Sequence, residues 1–133
     1  MLFLIALWAL PLATFFWARR RVPRRLGVLT GVAFGAVVAP AAVGLYALYY
    51  VGPIPALLGL VGLPLAMLHE EPGYNLAIWL GVLQPRTVVE GVQQLYVALL
   101  NGVVWATVYG LIGSFIDGLR THVKKHETVS SVA

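Results

Sequence analysis

The sequence predicts an all-α integral membrane protein with three clear transmembrane helices and a Gly/Pro-broken middle segment that is either re-entrant or interfacial, or a fourth span. Three observations carry this. Of the 133 residues, 60% are hydrophobic and 11% charged, with a mean hydropathy of +0.87, whereas soluble domains carry roughly 25% charged residues. Several apolar runs approach the length a bilayer requires. Finally, Arg19-Arg20-Arg21-Val22-Pro23-Arg24-Arg25 places five of the nine Lys and Arg residues between two such runs, the pattern of a cytoplasmic juxtamembrane loop. At this length one polytopic domain, residues 1–133, is expected.

Residues 1–18 lack a charged side chain and as a helix would reach about 27 Å, close to a hydrocarbon core of about 30 Å. The positive charge follows this run rather than preceding it, which predicts an uncleaved anchor with its N-terminus outside. Phe15, Phe16 and Trp17 fall where amphipathic rings favour the inner interface. Residues 26–51 form a second span ending in Tyr46, Tyr49 and Tyr50, which suit the opposite interface. Residues 93–116 form a third, opened by Tyr96, with Asp117, Arg120, Lys124 and Lys125 beyond it. Residues 117–133 read as a polar, frayed tail.

The middle segment, 52–92, is ambiguous. Residues 52–68 are apolar but interrupted by Pro53, Pro55, Gly59, Gly62 and Pro64, and residues 74–83 are too short to cross. His69 to Asn75 reads as a solvated turn between them. Charge placement favours the re-entrant form: with the arginine loop and the tail both inside, eight of the nine cations are cytoplasmic and Arg86 alone is outside. A full crossing would strand the three tail cations outside.

The most regular pattern is a pair of small-residue ladders. Gly27, Gly31, Gly35 and Ala39 recur every four residues in the second span, and Ala98, Gly102, Ala106, Gly110 and Ser114 do so in the last, continued by Gly118. Small side chains let backbones approach, a main source of helix association in lipid. A four-residue interval drifts about 40° per rung, so the longer ladder is expected to meet one helix with its first rungs and another with its last. Packing between the second and last spans is one reading; self-association or docking on a different subunit is the other.

A candidate polar site comprises His69, Glu70, Glu71 and Asn75, with Asn101 inside the last span. Ionisable groups near a membrane are functional candidates, but a zinc-peptidase helix needs two histidines, and adjacent carboxylates point about 100° apart on a helix. No metal or other cofactor is expected. Asn101 needs a hydrogen-bond partner in another helix. Asp117 is expected to pair with Arg120, and Arg86 with Glu90. Trp105 and Tyr109 lie far inside the last span and should face protein, toward Asn101.

The cations flank apolar spans rather than forming a duplex-binding face, so nucleic acid is not an expected partner and the lipid bilayer is. Arg19, Arg20, Arg21, Arg24, Arg25, Lys124 and Lys125 are candidates for headgroup anchoring, each contributing about 1 kcal/mol beside an anionic leaflet. Cysteine is absent, which excludes disulfides and thiol catalysis, and no hydroxyl sits in a nucleophile elbow. Abundant Ala, Leu, Val and Arg suggest a bacterial source. The expectation is therefore a small non-catalytic protein of a bacterial inner membrane, N-terminus outside and C-terminus cytoplasmic. It would act by helix packing, as an accessory or assembly subunit of a membrane complex or as a homo-oligomer. The alternative is a pore-forming or transport element, holin-like or a channel, built on residues 52–83.

Overall fold

The computed structural model describes the backbone of residues 2–86 and 88–130 and the side chains of residues 6–86 and 88–123. Four α-helices account for it: α1 (Leu2–Arg21), α2 (Leu26–Ala47), α3 (Pro53–Trp79) and α4 (Val92–Ser130). The described residues contain no strand. Three helical stretches, Pro23–Tyr50, Pro53–Trp79 and Val92–Val123, are long and apolar enough to cross a membrane.

The arginine loop is shorter than expected because Arg19–Arg21 complete the last turn of α1, where cations complement the negative end of the helix dipole. Val22 then leaves the helical region, at φ −141° and ψ 56°, as a residue preceding proline is pushed to do. A 3-10 turn, Pro23–Arg25, leads into α2. The inner face of α1 carries Pro11 and Ala18, both buried, and Trp8, whose ring lies 5.9 Å from Phe34 of α2.

Helix α2 is the centre of the molecule and is apolar on every side, as a helix surrounded by others should be. Its glycine ladder meets α4 in antiparallel register. A Cβ added at Gly27 would strike the carbonyl of Gly113; at Gly31, that of Tyr109; at Gly35, that of Trp105. The backbones therefore touch, close enough for Cα–H to carbonyl contacts. Pro40 lacks an N–H and so withdraws the usual donor from the Ala36 carbonyl, and this oxygen faces Gly102, 3.2 Å from where a Cβ would stand.

Helix α3 departs from expectation. Residues 53–79 form one helix rather than two short segments, and His69 to Asn75 lies inside it rather than in a solvated turn. Its two ends nevertheless touch the same half of the α2–α4 pair. Gly59 abuts Tyr49, and Gly62 abuts Leu45 and Tyr46, so the first half advances toward the N-terminus of α2. His69 then meets Trp105 and Tyr109, Gly73 meets Asn101 and Val97, and Ala77 clusters with Val97 and Leu83. These partners move toward the start of α4, which in an antiparallel pair is the C-terminal end of α2. The contacts of Gly59 and Gly62 and those of Gly73 and Ala77 thus fall in the same half of the α2–α4 pair. At its close, Gly81 adopts φ 73°, a conformation glycine takes without steric penalty, while the N–H groups of Val82 and Leu83 return to the Ala77 carbonyl, tying off the helix.

Helix α4 does not stop at residue 116. It continues to Ser130, because no Gly or Pro follows Gly118 to end it and Asp117 is fixed to α2. The side chains of Lys124 and Lys125 lie outside the described residues.

Candidate functional site

Pro72 inside α3 removes one N–H and crowds the preceding turn, which opens the helical ladder and should cost roughly 3 kcal/mol if nothing compensated. Helix α4 bonds the backbone on either side of this proline. Asn101 uses both ends of its amide there: Oδ1 accepts from the Gly73 N–H at 2.6 Å and Nδ2 donates to the Glu70 carbonyl at 2.9 Å. One turn later, Trp105 Nε1–H donates to the His69 carbonyl at 2.9 Å. Proline within an apolar helix is tolerated when neighbouring helices satisfy the freed backbone groups in this manner.

His69 is 1% exposed and Asn101 2%. The His69 Nδ1 lies 2.8 Å from the Leu65 carbonyl, which can only accept, so Nδ1 carries the proton. In the neutral ring Nε2 is then an acceptor, and the Tyr109 hydroxyl, 3.0 Å away, donates to it. The imidazole lies 4.4 Å from the Trp105 ring, and Tyr109 meets Phe34 edge-on at 4.9 Å. Trp8, Phe34, Tyr109 and His69 consequently link all four helices through one run of rings.

Beside the kink is a half-open groove of 660 Å³. Helix α2 supplies Pro40 and Val43, and α4 supplies Val97 and Ala98 with Asn101 at the back. The remaining wall is Glu70, Glu71 and Tyr74 of α3. Both carboxylates are exposed, and neither has a cation within ion-pair distance among the described residues. No three His, Asp or Glu side chains gather there in a metal-binding arrangement, again among the described residues. Asn75 is exposed and does not line this groove.

At the opposite end of the α2–α4 pair, Asp117 is 9% exposed and caps α2. Its Oδ1 accepts from Gly27 N–H at 2.8 Å and its Oδ2 from Val28 N–H at 3.0 Å. The expected contact with Arg120 exists at 3.9 Å but is secondary to this cap. The cap also draws Arg120 to the end where Arg19, Arg20, Arg21, Arg24 and Arg25 stand exposed. Arg86 and Glu90 form no ion pair among the described residues.

The ladders meet within the chain. Gly27, Gly31 and Gly35 face α4, Ala39 is buried, and Gly102, Ala106 and Gly110 lie on or beside the seam. Ser114 is exposed and Gly118 has open space around it. The helical drift of a four-residue repeat carries the seam to Gly113 and Asp117 instead, two contacts the strict four-residue pattern does not reveal. Ala98 has moved off that seam into the groove wall.

No protein-family model matches the chain, and neither the curated proteins nor the solved structures contain a detectably similar one.

Proposed function

We propose that this chain is a non-catalytic, multi-pass protein of a bacterial inner membrane and that it acts as a pore or transport element. Helices α1, α2 and α4 would cross, while α3, although itself long and apolar enough to span, would dip in and return to the outer side. The supporting observation is that Gly59 and Gly62, early in α3, and Gly73 and Ala77, late in it, all pack near the C-terminal end of α2 and the start of α4. A proline-containing helix whose backbone groups are bonded by side chains of another helix is one way in which membrane proteins set polar groups inside the bilayer. The N-terminus would be outside and the C-terminus cytoplasmic, since the five arginines and Arg120 share one end. A role as an accessory subunit or homo-oligomer has less support, because the ladders that motivate it are used by α2 and α4 against each other.

The test is flux. Liposomes containing the purified full chain should release a trapped small cation faster than protein-free liposomes. Glu70→Gln combined with Glu71→Gln should slow that release. Proteoliposomes as tight as empty ones would overturn the reading.

A further inference from the structure

We infer that the groove beside the α3 kink binds a lipophilic organic cation, its charge held by Glu70 and Glu71 and its apolar body lying against Pro40, Val43, Val97 and Tyr74. This inference rests on the re-entrant reading of α3. Depth is the first ground. The Glu70 carbonyl is bonded to Asn101, which lies roughly 8 Å along α4 from Tyr96 and roughly 24 Å from Asp117. On the re-entrant reading this backbone, and the carboxylates it carries, would lie within the hydrocarbon zone, where an unneutralised charge is costly. No described cationic side chain lies within ion-pair distance of either of them, so a bound cation would displace no ion pair there.

The shape of the groove decides what kind of cation it takes. Two carboxylates fall short of the six or more oxygens that Ca²⁺ gathers. A volume of 660 Å³ also far exceeds what a bare ion fills, and it falls in the range of about 300–1,000 Å³ typical of sites for organic ligands. The walls are mostly aliphatic, and Tyr74 adds a ring face that attracts ammonium-like and phosphonium-like groups. An amphiphilic cation satisfies the acids and the walls at once; a neutral lipid tail satisfies only the walls.

The experiment is equilibrium dialysis of tetraphenylphosphonium against the full chain in nanodiscs of uncharged lipid, with empty nanodiscs as blank and tetraphenylborate as the anion of matching shape. Expected is saturable binding of the phosphonium, weakened at least about tenfold, or about 1.4 kcal/mol, by Glu70→Gln with Glu71→Gln. Met67→Trp, which fills the groove and leaves both acids in place, should weaken it as well. Binding no greater than in empty discs, equal binding of the borate, or binding indifferent to both variants would overturn the inference. Glutamate-dependent binding without flux would uphold this site while removing the transport reading, so the two failures are distinguishable.

Discussion

Asn101 receives the Gly73 N–H at 2.6 Å, so a side-chain oxygen of α4 bonds the backbone of α3 just after Pro72. The bond runs between two helices in a buried position, and the same side chain also holds the Glu70 carbonyl. Residues 70 and 73 are thereby tied directly to α4.

Replacing Asn101 with Leu should therefore cost about 1–3 kcal/mol, since the buried Gly73 N–H and the part-buried Glu70 carbonyl lose this partner. Asn101→Asp keeps an acceptor for Gly73 but no donor for Glu70, and should be destabilising as well. Reversible unfolding in mixed micelles, followed by tryptophan fluorescence, reads both. A variant with Leu at 101 as stable as the parent would show that the kink does not depend on α4.

The glycines of the α2–α4 seam should separate sharply from those outside it. Gly31→Ala and Gly35→Ala each drive a methyl group into a backbone carbonyl of α4 and should cost about 1–3 kcal/mol through overpacking. Gly118 has nothing nearby and Ser114 is exposed, so alanine at either should change stability by less than about 0.5 kcal/mol. The same unfolding measurement distinguishes the two groups.

Tyr109→Phe removes one hydrogen bond to His69 Nε2 while leaving the ring contact with Phe34, and a loss of about 1 kcal/mol is expected. His69→Phe removes that bond and the bond to Leu65. The cost of the double variant should fall below the sum of the single costs by about 0.5 kcal/mol or more, the signature of direct coupling. Additivity would separate the two side chains energetically.

Asp117→Ala should destabilise by about 1–2 kcal/mol, because it uncaps two N–H groups at the positive end of α2. Arg120→Ala should cost far less, since its contact is long and its side chain 57% exposed, conditions in which ion pairs contribute little. Equal effects from the two variants would contradict the cap.

Much of the architecture is legible in the sequence because lipid imposes it. The helical class, the arginine turn and the small-residue faces all follow from hydropathy, charge and interval. The stripe Asn101, Trp105, Tyr109 is visible too, as three polar-tipped side chains four residues apart inside an apolar span. What they serve is not visible locally. Reading His69 to Asn75 alone, Pro72 and Gly73 argue for a turn, and that argument fails because the compensating donors and acceptors come from some thirty residues away. Asp117 is similarly obscured: Arg120 is its obvious neighbour in sequence, while the bare N–H groups it serves begin a different helix.

The return of α3 is the claim on which the account rests, and cysteine accessibility tests it directly, since the chain has no cysteine of its own. Single cysteines would be placed at Val51 before α3, at Val82 after it and at Val123 toward the far end of α4, all exposed positions. With an impermeant maleimide applied to oriented vesicles, Val51→Cys and Val82→Cys should label from one face and Val123→Cys from the other. Labelling of positions 51 and 82 from opposite faces would mean that α3 crosses the membrane, contradicting the account.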